Sequence, residues 1–359
     1  MTDGLDSAQL HLFGGSGEHI WGMTSAERIR RMLLRDVPAG AGIAPGHRLH
    51  INLDYVFDPL LLRLALARAG TAFHDGDALV IGQLPEEGAP LAHIDLATAP
   101  GLYNEKLRKT ERPFAIRLTA QTRGQIERAS YQGAYKGVTD LLTKYLWPEL
   151  AFHLTRLAAV LRMTPNMVTA IGAFMCVLAT ILFYNGAYWQ GVAAGFVFMV
   201  LDTVDGKLAR CTITSSKWGN AFDHGIDLVH PPFWWAAWGM GLAHVGLSLP
   251  GMTFAAIMVA IVSGYVLQRL CEGVFLKYAG MDMHVWRRFD SWFRLITARR
   301  NPNMVILLAS LIAGRPDIGL IAVAWWTILS LLVHMVQVLQ LVQARRAGRP
   351  ITSWLEQKA

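Results

Sequence analysis

The sequence predicts an all-α polytopic membrane domain of six transmembrane helices, preceded by a small soluble α/β domain. Of the 359 residues, 53% are apolar, and the mean hydropathy is +0.32. Such a chain is too apolar for an ordinary soluble protein and too charged for a purely membrane one. All six long apolar stretches follow residue 163. We expect a cytoplasmic α/β domain at 1–130, a linker with a juxtamembrane amphipathic helix at 131–163, the six-helix domain at 164–345 and a cytoplasmic tail at 346–359.

The N-terminal region carries signals for both helices and strands. Thr24 and Glu27 form a capping-box pattern ahead of I-R-R-M-L-L-R, which predicts a helix start. The run R-L-H-I-N-L-D-Y-V-F predicts a strand and ends at Asp58-Pro59, which leads into a second, apolar helix. A-L-V-I-G predicts another strand. The glycines between Phe13 and Glu18 could form a phosphate-cradling turn, but a bare glycine cluster is more often a flexible loop.

The linker mixes apolar and basic residues. Between residues 134 and 163, the charges of Lys136, Lys144, Arg156 and Arg162 interrupt an otherwise apolar pattern. This composition favours a helix that lies on the inner leaflet of the membrane. A short soluble helix packed on the N-terminal domain is the alternative.

The apolar stretches define the expected spans: 165–185, 189–210, 218–243, 251–276, 302–314 and 317–342. Thr164-Pro165 and Asn301-Pro302 each place a capping side chain before a proline, a pattern typical of helix starts. The fifth span is short, so its boundary is the least defined. Tryptophans on these spans indicate interfacial belts and lipid-facing packing, among them Trp189, Trp234, Trp235, Trp325 and Trp326.

Basic residues predict the orientation of the spans. The connections after the first, third and fifth spans carry one basic residue between them, Arg315. The opposite side carries Lys207, Arg210, Lys217, Lys277, Arg287, Arg288, Arg294, Arg299, Arg300, Arg345, Arg346 and Arg349. By the positive-inside rule, both termini lie in the cytoplasm. The first 20 residues also lack the apolar run of a secretory signal. We expect a multi-pass protein of the cell inner membrane.

Four carboxylates interrupt the second and third spans. The segment reads D-T-V-D-G-K-L-A-R, then eight residues, then G-N-A-F-D-H-G-I-D. At about 100° per residue, one helix face presents Asp202, Asp205, Gly206 and Ala209, and a face of the next helix presents Gly219, Asp223 and Asp227. An ionised side chain inside a membrane costs several kcal/mol of free energy unless a cation or another partner binds it. The two faces can converge because a short turn joins the helices.

Converging carboxylates predict a divalent metal site. Carboxylate oxygens are hard ligands suited to Mg²⁺ or Mn²⁺, and this number of them indicates one or two ions; we expect two. Such ions usually hold phosphates. The small residues on the same faces let a ligand approach the backbone, and Arg210 offers a planar fork for phosphate.

The pattern D-x2-D-G-x2-A-R-x8-G-x3-D-x3-D resembles the signature of the CDP-alcohol phosphotransferase (CDP-alcohol phosphatidyltransferase) family, and all eight specified residues match. The resemblance covers roughly residues 134 to 345. It implies transfer of a substituted phosphate from a CDP-linked donor to an alcohol, with release of CMP, by a protein that often forms homodimers. It also implies that Asp202, Asp205 and Asp223 bind metal, and that Asp227 is a further ligand or the general base.

The resemblance assigns the CDP portion of the donor to Gly206, Ala209, Arg210 and Gly219, together with metal-bound Asp202. We expect CDP-diacylglycerol as donor, in phospholipid biosynthesis. One alternative keeps the chemistry but uses a soluble CDP-polyol such as CDP-inositol, with an inositol-phosphate acceptor. Another alternative is a cation or proton-coupled transporter, because intramembrane acids also serve as proton relays or ion-pair partners.

The soluble domain resembles part of a sugar-phosphate nucleotidyltransferase in the strand that ends at Asp54 and the V-F-D-P that follows. It lacks a clear L-A-A-G-x-G-x-R-L loop with its following lysine, and it is much shorter than a complete nucleotidyltransferase. We therefore expect a degenerate, docking or regulatory domain.

A basic run after the fourth span is explained mostly by anchoring to anionic lipid. Arg269 lies deeper in an apolar helix, so we expect it to bind a phosphorylated or anionic acceptor together with Arg299 or Arg300. The net charge of +7 is accompanied by no DNA-binding motif, and we expect no nucleic-acid partner. The three cysteines show neither a disulfide framework nor zinc spacing.

Overall fold

The computed structural model describes residues 9–35, 37 and 41–356. Residues 1–8, 36 and 38–40 of the expected soluble domain and residues 357–359 of the expected tail lie outside the described residues. Within the described chain, an α/β unit with short strands is followed by a bundle of long helices. The α/β unit corresponds to the expected soluble domain and is named the soluble unit.

The α/β unit is built on a mixed five-stranded sheet. Its elements are β1 (Leu10–Phe13), α1 (Ser25–Arg35), β2 (His47–Asn52), β3 (Tyr55–Phe57), α2 (Pro59–Ala67), β4 (Thr71–Asp75), β5 (Ala78–Pro85), β6 (Ala92–Asp95), β7 (Leu102–Asn104), β8 (Lys109–Glu111), β9 (Ala115–Arg117) and α3 (Arg123–Gly133). The sheet order is β1-β2-β5-β4-β6, and β3-β9 and β7-β8 form two small pairs. β1 runs parallel to β2 and β6 parallel to β4, whereas β5 is antiparallel to both of its neighbours.

Local signals place the two sheet-covering helices where the sequence predicts them. The Thr24 hydroxyl accepts the amide of Glu27 at 3.2 Å, which caps α1. Asp58 caps α2 by accepting the amide of Leu60 at 2.8 Å, with Pro59 at the first helical position. Apolar residues of both helices pack on β2 and β5 in one buried cluster.

The helical part comprises a π-helical turn (Leu142–Leu146), α4 (Pro148–Val160), α5 (Pro165–Tyr184), α6 (Tyr188–Cys211), α7 (Lys217–Gly241), α8 (Gly251–Ala279), α9 (Arg288–Phe293), α10 (Arg300–Ile312) and α11 (Pro316–Arg346). Three of them, α5, α8 and α11, are long and apolar enough to cross a membrane by length and composition. The other three expected spans are also helices. α6 and α7 are continuous helices whose apolar sequence is interrupted by the charged residues of the signature. α10 is short, with 13 residues.

Tryptophans divide between lipid-facing and core positions. Trp189 and Trp325 are exposed, as expected of a belt. Trp234 and Trp235 are buried against α5 and α6, so their assignment to lipid-facing packing is wrong. The Trp234 indole donates to the Cys176 carbonyl at 3.1 Å, which lets a large ring with one polar atom fill the core.

The linker reaches the bundle through α4, which lies at its edge. The Trp147 indole donates to the Thr203 hydroxyl of α6 at 3.1 Å. α4 leaves an apolar row exposed on the opposite side: Leu150, Leu157, Val160 and Leu161. Two ion pairs, Arg128 with Glu149 and Arg156 with Glu127, hold it to α3. The helix therefore touches the soluble unit and also offers an apolar face to its surroundings.

Candidate active site

The four signature carboxylates lie on two neighbouring helices, near the end of α6 and the start of α7. Carboxylate oxygens of Asp202, Asp223 and Asp227 lie within 4.8 Å of one another. Asp205 joins Asp202 and Asp223 in lining a narrow cavity between α5, α6 and α7. The predicted convergence of the two helix faces is present in the structure.

A short connection of residues 212–216 sets this convergence. α6 ends at Cys211, and Ile213 takes a positive φ of 53° as the chain reverses. The Ser216 hydroxyl then caps α7 by accepting the amide of Gly219 at 3.0 Å. The tight reversal brings residues one to three turns from each helix end to the same depth in the bundle.

Asp205 is the most buried of the four acids, with 3% of its surface exposed. Its Oδ2 accepts a hydrogen bond from the Thr169 hydroxyl at 2.6 Å. Its Oδ1 is buried and has no hydrogen-bond partner among the described residues. An unpartnered buried carboxylate oxygen is costly unless a cation or water reaches it.

Arg300, the first residue of α10, lies between two of the other acids. Its Nη2 donates to Asp202 Oδ2 at 2.7 Å, and its Nη1 donates to Asp227 Oδ1 at 2.6 Å. The guanidinium thus supplies positive charge at the point where the carboxylates converge. It is 11% exposed, so the pair with Asp202 is shielded from solvent.

These observations fit a divalent cation. The donor set is made of hard carboxylate oxygens, one of them is buried without a partner, and a positive group already bridges two of them. The residues that could hold the ion are Asp202, Asp205, Asp223 and Asp227.

The two glycines of the signature leave space that neighbouring side chains of the protein occupy in this structure. A Cβ at Gly206 would lie 3.1 Å from Nη2 of Arg210, so the missing side chain lets that guanidinium fold over the helix. A Cβ at Gly219 would lie 2.9 Å from Oδ1 of Asn166. Ala209 and Arg210 line a larger cavity that opens toward the soluble unit. Arg210 Nε donates to the Ala134 carbonyl at 3.0 Å, which ties the signature to the linker.

The three candidate acceptor arginines divide into two groups. Arg269 and Arg299 both pair with Glu272 of α8. His284 and His334 lie 3.7 and 3.6 Å from the same carboxylate. Arg300 is separate from this cluster and belongs to the carboxylate site. The partner that Arg269 was expected to need in an apolar helix is therefore Glu272.

Two further residues shape the site without having been singled out in the sequence. Thr169 holds Asp205, but a threonine one turn into an apolar helix carries no distinctive signal. The prediction that Asn301 caps α10 is wrong, because the N-cap residue of this helix is Arg299. Asn301 Nδ2 instead donates to Asp140 Oδ1 at 2.9 Å. Although burial opposes it, Arg294 and the hydrogen bonds from Thr143 and Asn301 lower the pKa of Asp140. The linker is thereby anchored next to Arg300.

The glycine turn between Phe13 and Glu18 is held by a carboxylate. Asp54 Oδ1 accepts the Gly15 amide at 2.8 Å, and Gly14 has a positive φ of 72°. The carboxylate already accepts one of the amide hydrogens that a phosphate would need, and its negative charge repels a phosphate at this turn. The flexible-loop alternative for this cluster is favoured over phosphate binding.

Comparison with known proteins shows what the helical part is similar to. The sequence profile of the CDP-alcohol phosphatidyltransferase family matches residues 162–298, which include all four carboxylates. Cholinephosphotransferase 1 of Xenopus laevis is 26% identical over 172 residues, covering 45% of this chain and 38% of the relative. Choline/ethanolaminephosphotransferase 1 of Arabidopsis thaliana is 35% identical over 125 residues, or 31% of each chain.

A bacterial relative is also similar over the signature region. Phosphatidylinositol phosphate synthase of Cutibacterium acnes is 40% identical over 65 residues, covering 18% of this chain and 31% of the relative. The matched segments span less than two-fifths of the length of these three relatives. The profile match over residues 162–298, the converging carboxylates and three helices of membrane-spanning length together make the helical part of this chain similar to the CDP-alcohol phosphatidyltransferase family.

Proposed function

We propose that this protein is an integral membrane transferase that moves a substituted phosphate from a CDP-linked donor to an alcohol and releases CMP, in phospholipid biosynthesis. The observation that carries the proposal is the convergence of four carboxylates from α6 and α7 at one point. The family match over this segment supports the same chemistry.

The reaction is a substitution at phosphorus. The acceptor oxygen forms a bond to the phosphorus that carries the transferred group, and the bond from that phosphorus to the CMP oxygen breaks. The acceptor proton passes to a carboxylate, for which we propose Asp227 as general base. Arg300 donates to Oδ1 of Asp227 at 2.6 Å and so holds this carboxylate in one orientation.

We propose Asp202, Asp205, Asp223 and Asp227 as ligands of two Mg²⁺ or Mn²⁺ ions. When bound, such ions neutralise the donor diphosphate and the charge that develops on departing CMP. We assign the CDP portion of the donor to Asp202, Gly206, Ala209, Arg210 and Gly219. Arg210 provides a planar donor fork for its phosphates.

We propose CDP-diacylglycerol as donor and keep a soluble CDP-polyol as the alternative. The names of the relatives point both ways, since two refer to phosphotransfer of choline or ethanolamine and one to phosphatidylinositol phosphate. For a phosphorylated acceptor, Arg269 and Arg299 beside Glu272 are the proposed contact, with Arg300 nearer the metal site. An unchanged acceptor KM in Arg269→Ala would count against this contact.

Metal-dependent CMP release from purified protein in detergent tests the proposal. Parallel reactions contain CDP-diacylglycerol, CDP-choline or CDP-inositol, each with a panel of alcohols and polyol phosphates. Chloroform extraction and mass analysis of the product separate lipid from polyol chemistry. Absence of CMP release with every donor would overturn the transferase and leave the transporter hypothesis.

Substitutions of single carboxylates separate their proposed roles. Asp227→Asn should keep substantial donor binding, because the other three proposed ligands remain, and should lower turnover at least about 100-fold, because the proton acceptor is lost. Asp202→Asn and Asp205→Asn should weaken metal-dependent donor binding. Asp77→Asn, at an exposed turn of the soluble unit, is the control and should resemble the wild type. Wild-type turnover in all three site variants would contradict the mechanism.

We propose that α5, α6, α7, α8, α10 and α11 all cross the cell inner membrane, with both termini and the active site on the cytoplasmic side. The exposed apolar side chains on these helices and the distribution of Lys and Arg support this topology. We also expect a homodimer. Single cysteines introduced at positions 187 and 346 should differ in labelling by a membrane-impermeant thiol reagent, and labelling of both in intact cells would contradict the topology.

We propose that the soluble unit has no cytidylyltransferase activity of its own. The missing nucleotide loop and the carboxylate in the glycine turn support this. Robust pyrophosphate release by the full-length protein from CTP with sugar or inositol phosphates would overturn it.

A further inference from the structure

A cavity of about 350 Å³ lies between the soluble unit and the cytoplasmic ends of α6 and α7. Its volume is at the lower end of the roughly 300–1,000 Å³ of small-molecule sites. Its walls come from α1, α2, the β7–β8 connection, the end of α3 with the linker that follows it, the end of α6 and the start of α7. The cavity exists only because the two parts of the chain pack together.

The walls of this cavity carry a strong excess of positive charge. Six cations line it: Arg28, Arg35, Arg63, Lys106, Lys136 and Arg210. Among the described residues, Asp58 is the single carboxylate of the lining, and it is already used as the N-cap of α2. Burial raises the pKa of Asp58, so its negative charge is disfavoured. Cations that share a partly enclosed space attract anions strongly.

Three of these cations, Arg35, Lys106 and Lys136, pair with no carboxylate of the described chain. Arg35 donates to the backbone carbonyl of Ser215, which carries no net charge. Lys136 and Lys106 make no hydrogen bond or ion pair with any residue of the described chain. Lys136 is also partly buried, an expensive place for an ammonium group without a partner. The cavity is therefore built for a negatively charged ligand.

From this arrangement we propose that the cavity binds the phosphate group of a small water-soluble organic phosphate, with Lys136 and Lys106 as direct contacts. A phosphate offers three acceptor oxygens and up to two charges, which match several converging cations. Two sources share this chemistry, a phosphorylated polyol acceptor and a cytidine nucleotide. The identity of the two sources rests on the proposed function, since Ala209 and Arg210 of the proposed donor site also line the cavity. What the inference adds is a pair of phosphate contacts from the linker and the soluble unit that need no metal.

Direct binding to the full-length protein in detergent tests the proposal. Calorimetric titrations use inorganic phosphate, inositol phosphate, glycerol 3-phosphate and CMP, with a chelator present so that metal-dependent binding at the carboxylates does not contribute. The wild type should bind phosphate or one of its esters. Lys136→Gln and Lys106→Gln should each weaken that binding about tenfold, the value expected when a charged hydrogen bond is lost.

Arg68→Gln is the matched control, since Arg68 follows α2 on the soluble unit but is exposed and does not line the cavity. It should bind like the wild type. Lys106 is exposed, so Lys106→Gln tests the proposal even if substitution at Lys136 impairs folding. Tighter binding of CMP than of the polyol phosphates would identify the nucleotide as the source, and the reverse order would identify the acceptor.

The proposal is overturned if no phosphate compound binds the wild type. Equal binding by the wild type and both lysine variants would also overturn it. Because neither donor nor divalent metal is present, failure of the transfer reaction would leave these titrations unaffected, and the two hypotheses fail separately.

Discussion

Arg300 illustrates how one residue can serve a site in a way its sequence context does not reveal. It begins α10, which is distant in the chain from the signature, yet it bridges Asp202 and Asp227. A basic residue in a run of basic residues predicts only lipid anchoring or a soluble ligand. The bridge places a fixed cation where a divalent ion and Arg300 would compete for the same oxygens.

Replacing Arg300 by alanine should therefore raise the affinity of the site for Mn²⁺. Without the guanidinium, Asp202 and Asp227 repel each other and gain more from a bound cation. Mn²⁺ binding is measured in the absence of donor, from the electron paramagnetic resonance signal of the ion that stays free in solution. Arg315→Ala is the matched control, because Arg315 pairs with Asp317 at the start of α11, outside the site. Weaker Mn²⁺ binding by Arg300→Ala would contradict competition at this point.

The convergence of the four carboxylates was largely predictable, whereas their supporting contacts were not. The sequence reveals these acids because they are regularly spaced in apolar helices: Asp202, Asp205, Asp223 and Asp227. Thr169 and Arg300 do not, since their roles follow from the way α5 and α10 pack against α6. A helical period shows which residues share one face, but it does not show which helix covers that face.

At the scale of elements, glycines set how closely α8 and α11 approach. A Cβ at Gly264 of α8 would lie 2.6 Å from Cγ2 of Thr327 on α11. Gly273, nine residues later on the same helix, has nothing within 4 Å of the equivalent position. Small residues at contact positions let membrane helices pack closely and gain van der Waals contact.

Gly264→Ala should lower the stability of the protein by about 1–3 kcal/mol, because the added methyl overpacks the interface. Gly273→Ala should be neutral or slightly stabilising, since alanine favours the helix and meets no neighbour. Thermal unfolding in detergent measures both. Adding Thr327→Ala to Gly264→Ala removes the opposing methyl and should restore part of the loss. Equal effects of the two glycine substitutions would show that helix propensity, and not the contact, decides.

Helix ends were predicted with mixed success, for an identifiable reason. Thr164 caps α5 as its sequence indicates, since it accepts the Met167 amide at 3.2 Å. Asn301 fails as a cap because a buried acid of the linker, Asp140, takes its amide group. A tertiary partner outweighed the local signal, and that partner lies more than 150 residues away in the chain.

For the whole molecule, the soluble unit is docked on the turn between the two helices of the site. Arginines on one face of α1 donate to carbonyls at the end of α6 and in this turn: Arg28 to Cys211, Arg31 to Thr212 and Arg35 to Ser215. Cations at the carboxyl end of α6 also complement its dipole. The division into soluble and membrane parts follows from composition, but this contact does not, because nothing in α1 identifies its partner.

Weakening the docking should disturb the active site from a distance. Arg31→Ala combined with Arg35→Ala removes two of the donors, so residues 211–216 should exchange amide hydrogens faster and turnover should fall. Arg30→Ala is the matched control, because the Arg30 side chain lies on α1, is 75% exposed and, among the described residues, pairs only with Glu27. Faster exchange at 211–216 without loss of turnover would show that the turn need not be held for catalysis.

Lys136 gives the interdomain cavity a dependence on pH. Burial, and then the like charges of Arg108 and Arg210, lower the pKa of Lys136 to about 8. Arg294 acts in the same direction, whereas Asp223 opposes it. A bound phosphate adds negative charge beside the ammonium group and must raise this pKa. Free and bound protein therefore differ in proton content above about pH 8, where the free form has lost a proton that the complex retains.

On the phosphate-binding proposal, affinity for inorganic phosphate should be highest below pH 8 and fall by up to about tenfold per pH unit above it. Titrations at pH 7.5, 8.5 and 9.5 measure this, and buffers of different ionisation enthalpy count the protons taken up. Lys136→Arg should still bind phosphate but lose most of the pH dependence in this window, because a guanidinium stays protonated throughout. The same decline in Lys136→Arg as in the wild type would assign the titrating group elsewhere in the cavity and remove Lys136 as the proton-linked contact.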